Sequence, residues 1–305
     1  MKRILAIYFT QTGQQETIVQ SLLEPFIKAG DEVHFERLKL VDNFPFPWSA
    51  FTFFNAFPET FTQQPLPLQP LSAKAFESYD LVVLGYQPWF LTPSRPISSF
   101  LQSPDAMRIL KGKPVVTILG CRNMWLGAQE KVKRRLLDLN ANLVGHVALV
   151  DKSGNLTSLV TILRWMLGVK KEPFWFFPAA GVAQADAEHA SAFGKIVRKT
   201  MDTGNFEGMQ KDLNAEGAIL VKPNLVLMEK RGQRAFSVWA KFVIAGGPSG
   251  SKGRNRRVRI FMRALPTAIV ILSPLLWVVS HILLIVKHRQ LSQDAEYYMQ
   301  NSLRS

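Results

Sequence analysis

The sequence predicts an α/β protein: a five-stranded parallel sheet with helices on both faces, followed by a helical C-terminal extension. Two patterns lead there. Short, almost wholly apolar runs recur at Ile4–Phe9, Tyr79–Tyr86, Lys113–Gly120 and Leu143–Val150, as in strands buried on both faces of a parallel sheet. Segments with helical spacing lie between these runs, and that alternation is the pattern of βαβ units in a doubly wound fold.

The first strand, Ile4–Phe9, leads into a short polar turn, Thr10 to Gln15, with a single glycine. Helical spacing then resumes at Ile18, Val19, Leu22 and Leu23. A hydroxyl-rich turn at a helix start gathers backbone N–H groups and the positive end of the helix dipole, so a phosphate fits there. The turn is too short for a P-loop and lacks the Gly-x-Gly-x-x-Gly of a dinucleotide fold. Glu32–Leu38 is a second strand, partly polar and therefore suited to a sheet edge. The next stretch, 43–70, carries Phe44, Phe46, Trp48, Phe51, Phe53, Phe54, Phe57 and Phe61. Its prolines prevent one long helix, and loops of this length are usually functional. An apolar lid, a surface that dips into lipid and an insertion packed on the domain's own core are equally open readings.

Tyr79–Tyr86 is the third strand; the loop Gln87–Pro93 follows it, then a helix over 94–101. The fourth strand, Lys113–Gly120, runs into Cys121-Arg122-Asn123-Met124-Trp125-Leu126 and a helix over 128–140. Leu143–Val150 is the fifth. The loops at 10–15, 87–93 and 120–126 all follow strands. They therefore meet at the carboxyl edge of the sheet, where open α/β sheets bind ligands. Leu156–Leu167 reads as a helix, 174–178 as a second aromatic patch, and Ala185–Met201 as the helix that closes a first domain of residues 1–204.

The loops resemble those of the flavodoxin-like family. Thr10, Gln11, Thr12, Gly13 and Gln14 match that family's Thr-x-Thr-Gly-x-Thr phosphate loop, with Gln15 in place of the last Thr. Pro88 and Trp89, with Phe100 and Leu101 on the following helix, match its second loop. The resemblance implies the strand order 2-1-3-4-5 and FMN as cofactor. It implies the phosphate on residues 10–15 and the flavin ring against Pro88, Trp89, Phe90, Cys121, Asn123, Met124 and Trp125, with Tyr86 nearby. Arg122 has two readings: a catalytic positive charge beside the reduced ring or a substrate carbonyl, and a surface ion pair. A narrower resemblance, resting chiefly on Arg122-Asn123-Met124-Trp125, is to the dialkylresorcinol condensing enzymes. It implies the aromatising step of a dialkylresorcinol pathway, with a ketosynthase or acyl carrier protein as partner.

The chain's 305 residues include one cysteine, so no internal disulfide framework exists. The net charge of +14 is uneven: +3 over residues 1–150 and +11 over 151–305. Diffusible flavodoxins tend to be acidic, so this charge points instead to an anionic surface. No nucleic-acid-binding module is recognisable, and the five histidines have no metal-like spacing. Residues 205–263 read as a basic amphipathic extension with Lys252, Arg254, Arg256, Arg257, Arg259 and Arg263 in its last part. Leu265–Val286 then holds 22 residues with no charged side chain other than His281. That length suits a transmembrane helix over 264–287, with a polar tail over 288–305; a helix lying in or re-entering the membrane interface and a segment buried in a soluble core are the alternatives. The positive-inside rule places the main domain on the cytoplasmic side of the inner membrane. The expectation is a membrane-associated, FMN-dependent oxidoreductase acting on an apolar ketone- or quinone-like substrate, with NAD(P)H a candidate hydride donor. The alternatives are a flavin-free scaffold and a membrane-bound electron carrier.

Overall fold

The computed structural model describes the backbone of residues 1–304, and the side chains of these except 155–156, 270, 272–278 and 281. Strand β1 (Arg3–Tyr8) is followed by α1 (Gln14–Lys28), β2 (Glu32–Arg37), α2 (Ala50–Asn55) and α3 (Phe57–Phe61). After a 3-10 turn come β3 (Leu81–Tyr86), the short hairpin strands β4 (Pro88–Trp89) and β5 (Thr92–Pro93), α4 (Arg95–Phe100) and α5 (Pro104–Leu110). Next are β6 (Pro114–Cys121), α6 (Leu126–Asp138), β7 (Asn142–Val150), α7 (Asn155–Gly168), α8 (Gln184–Thr203) and α9 (Met209–Ala215). The chain closes with α10 (Pro223–Ile244), α11 (Lys252–Val286) and α12 (His288–Tyr298).

The main sheet has the order β2-β1-β3-β6-β7, and all four pairings are parallel. Counted along the main sheet alone this is 2-1-3-4-5, the flavodoxin-like order. The partly polar β2 lies at the edge, as its composition predicts. The central strands are buried along almost their whole length, from Ile4 to Ile7, Leu81 to Leu84 and Val115 to Leu119, because helices cover both faces.

A second core lies apart from the sheet. Phe54 and Phe57, from the 43–70 insertion, pack with Ala240 and Val243 of α10 and Val258 and Phe261 of α11. Phe57 and Phe261 stack with ring centroids 4.5 Å apart. The insertion is thus the packing partner of the C-terminal extension. Arg254 seals the joint: it is buried, pairs with both carboxylate oxygens of Glu59 at 2.7 Å, and donates to Oδ1 and the carbonyl of Asn55. The second aromatic patch behaves differently. Trp175 and Phe176 point into solvent, Trp175 being 92% exposed.

The expected transmembrane helix over 264–287 finds no support among the described residues. Among the described residues no helix is long and apolar enough to cross a membrane; the side chains at 270, 272–278 and 281 lie outside the described residues. The segment belongs instead to the 35-residue α11, which starts at Lys252. Both of its ends are tied to the same body. Arg254 is held by the insertion at one end, and Leu284 packs on the main core at the other. Helix α12 then folds back: Lys230 of α10 donates to Asp294 at 2.6 Å, and the Tyr297 hydroxyl donates to Glu130 of α6. A helix anchored at both ends to one domain does not carry its ends to opposite leaflets.

Candidate functional site

The three loops meet at the carboxyl edge, as their positions after β1, β3 and β6 require. In the first, Gly13 caps α1 at φ 86°, a left-handed conformation that glycine adopts without a Cβ clash. The Thr10 hydroxyl accepts from the Gly13 N–H at 2.9 Å and closes the turn. No side chain caps the helix, so the first-turn N–H groups of α1 have no intrahelical partners and face outward with the positive end of the dipole. A cleft of about 380 Å³ opens there, lined by Thr12, Gly13, Gln14, Trp165 and Lys171 among others. The Lys171 ammonium sits 5.2 Å from the centre of the Trp165 ring.

Gln14 and Gln15 serve the fold. The Gln14 amide donates to the Val182 carbonyl and accepts from the Val182 N–H. Gln15 is buried; its amide donates to the Ile118 carbonyl and accepts from the Gly120 N–H, tying α1 to the end of β6. Of the side chains expected to bind phosphate, Thr12 is left bordering the cleft, with Gln11 partly exposed beside it.

In the second loop, Phe90 and Leu91 form the turn of the β4–β5 hairpin, both at positive φ. That conformation is strained for non-glycine residues. Tertiary contacts hold it: the Phe90 ring packs on Phe53 and Phe57, and the Leu91 carbonyl accepts from the Gln233 amide of α10 at 2.6 Å. Trp89 lies edge-on to Phe9, Phe44 and Trp48 at 5.9, 5.3 and 5.8 Å. Trp48 reaches this point because its backbone N–H donates to the Met166 carbonyl of α7. Two polar atoms are buried here without a hydrogen-bond partner among the described residues: the Trp48 Nε1 donor and the Gln87 Oε1 acceptor. Each such atom costs about 1–3 kcal/mol when left unpaired. In the sequence Trp48 is marked only as one of the aromatics of the 43–70 stretch and Gln87 only as the start of the second loop.

The third loop is more buried than expected. Trp125 is enclosed in the core, 5.1 Å from the His146 ring, and Tyr86 is likewise buried, its hydroxyl donating to Gln129. Both side chains are packed into the core. Partial burial, with Glu229 and Asp151 nearby, pushes the Cys121 thiol above its ordinary value. Asn123 is buried, while Met124 and Arg122 are partly exposed. Burial works against the Arg122 charge, and Cys121, Asp151 and Glu229 work in its favour.

Glu229, on α10, borders the third loop and carries no signal in the sequence. It is buried, and its carboxylate accepts from the N–H groups of Leu126 (3.1 Å) and Gly127 (2.6 Å), capping α6 from another helix. A Cβ at Gly127 would lie 2.2 Å from the Gln233 amide nitrogen, so a larger residue there would displace that side chain. One helical turn apart, Glu229 and Gln233 therefore grip the third and second loops. Burial pushes the Glu229 carboxyl up to about 7, against the opposing hydrogen bonds and Lys131.

No protein-family model and no curated protein matches the chain. Solved structures do. A flavoprotein in complex with FMN from Lactobacillus acidophilus NCFM aligns with 48% of this chain and 93% of its own, at 14% identity and a TM-score of 0.38. Oxidised flavodoxin 1 from Bacillus cereus aligns with 63% and 95%, at 15% identity and 0.35. The flavodiiron protein from Giardia intestinalis aligns with 67% and 38%, at 11% identity and 0.33. The comparisons give no support to the resemblance to dialkylresorcinol condensing enzymes.

Proposed function

We propose that this chain is an FMN-binding redox protein whose carboxyl-edge loops hold the cofactor. The observation that carries the reading is the convergence of an open, glycine-capped helix N-terminus with a buried, aromatic-walled second loop. The donor set suits the two ends of FMN. First-turn N–H groups, Thr12 and Lys171 offer positive potential and hydrogen bonds to a phosphate. Trp89 offers an aromatic surface to a flat ring. The orphaned Gln87 Oε1 and Trp48 Nε1 offer an acceptor and a donor to its polar edge. Bound flavin would supply hydride or electron transfer. The protein's own residues would orient it, exclude water through Phe44, Trp48 and Phe90, and set positive charge nearby through Arg122. The same aromatic enclosure favours an apolar ketone- or quinone-like reaction partner.

A second reading has its own support. Gln14, Gln15 and the Thr10 hydroxyl are all engaged within the protein, and Trp48 packs against Trp89. A flavodoxin-like scaffold without flavin would look the same. Purifying the full chain and titrating it with FMN, followed by flavin fluorescence, separates the two. Saturable quenching that weakens in Thr12→Ala and Trp89→Ala supports the redox reading. Colourless protein that takes up no FMN overturns it.

A further inference from the structure

We propose that the outward face of α11 is a docking surface for an anionic lipid bilayer, on which the helix lies flat while both ends stay attached to the body. Tertiary packing sorts the six cations of the basic run into two groups. Arg254 and Arg257 turn inward. Arg254 pairs with Glu59, and Arg257 donates to the Phe242 carbonyl and lies over the Phe242 ring. The other four, Lys252, Arg256, Arg259 and Arg263, are all exposed. They follow one another at steps of four, three and four residues, which is one face of a helix. Helix α11 contains no Asp or Glu to neutralise them. Arg234 and Lys241, exposed on the adjacent α10, add to the same sign.

The apolar half of the surface continues from the charged half. Ile260, Ile271 and Ile282 stand eleven residues apart, about three turns of helix, and all three are exposed, Ile271 by 67%. Ile285 prolongs the row and is 80% exposed. On a helical wheel the isoleucines fall beside the cations, on one side of the helix. Soluble helices turn such a row inward; here the inward side is already filled by Val258 and Phe261. Cations beside exposed isoleucines match a bilayer interface, with headgroup phosphates for the first and acyl chains for the second. A nucleic-acid backbone would use the cations and leave the isoleucines in water. This surface is separate from the carboxyl-edge loops, so the inference stands whether or not flavin binds there.

The test is co-sedimentation of the full-length protein with vesicles of phosphatidylcholine alone or mixed with phosphatidylglycerol, alongside size-exclusion chromatography without lipid. The expected result is binding to the mixed vesicles, weakened by salt, and little binding to phosphatidylcholine. Arg256→Glu with Arg259→Glu should weaken binding about tenfold or more. Ile271→Ser with Ile282→Ser should weaken it at every salt concentration. All four positions are exposed, and unchanged thermal melts would show that the variants fold. A fluorophore on Ile271→Cys should shift to the blue on mixed vesicles. Equal sedimentation with both vesicle types, absence of binding to either, or a wild-type dimer that Ile271→Ser with Ile282→Ser dissociates would each overturn the proposal.

Discussion

In the sheet, Ile4–Ile7, Leu81–Leu84 and Val115–Leu119 are held by backbone ladders as well as by their aliphatic side chains. The second core has no ladder. It joins Phe54 and Phe57 to Val258 and Phe261, and its polar link, Arg254 to Asn55, spans 199 residues of sequence. The first arrangement forms between successive βα units. The second requires a long loop closure before any of its contacts forms, and rests on ring packing and one buried ion pair. Yet it is the second core that positions Phe90 and, through α10, Glu229 and Gln233 at the loops of the site. The less locally encoded region thus shapes the candidate site.

That contrast can be broken at its joint. Arg254→Ala leaves the half-buried Glu59 without its cation and should cost about 3 kcal/mol, read as a fall in the denaturation midpoint. The paired change Arg254→Met with Glu59→Met removes both charges and should cost much less. Equal losses would mean that the ion pair is not what closes the second core. Phe57→Ala, which opens a cavity among Phe61, Phe90, Phe236 and Phe261, should cost a similar 3–5 kcal/mol, roughly. Ring-site fluorescence should change with it if the second core holds the Phe90–Leu91 turn.

Glu229 gives a pH test of the link between regions. Its carboxyl is raised from 4.5 to about 7 in the folded protein. Its contribution to stability is therefore fully present below pH 4.5 and is lost as pH rises through 7, by about 3 kcal/mol at most. His146 works the other way. Burial pushes its imidazole from 6.5 down to about 3, so its contribution is lost as pH falls through that range. Subtracting the pH profile of Glu229→Gln from that of the wild type isolates the carboxyl; a flat difference between pH 4.5 and 7 would refute a raised Glu229. Within the sheet, Ile118→Val should cost about 0.5–1.5 kcal/mol and leave the pH profile and the ring-site fluorescence unchanged.

Four of the five strands of the main sheet are legible as short apolar runs flanked by turn residues, β2 is marked by its partly polar edge composition, and the strand order follows from the loop resemblance. The glycine-capped turn at Gly13 is legible for the same reason: its chemistry is local. Gln14 and Gln15 look like ligand contacts in the sequence because their partners, Val182 and Ile118, are far away along the chain. Trp125 and Tyr86 mislead in another way, since an aromatic beside a loop looks the same whether it faces a ligand or the core. Glu229 carries no signal, because a lone glutamate on an amphipathic helix is normally solvated.

By itself, then, the sequence determined the α/β alternation, the position of three turns at one edge and the basic, apolar character of the C-terminal extension. Periodicity and composition are properties of neighbouring residues, and they suffice for those. Only the tertiary structure decided which of six cations are buried, that the 43–70 insertion packs on α10 and α11, and that both ends of α11 return to one body. Those outcomes depend on which apolar faces meet across long loops, and local spacing does not encode that choice.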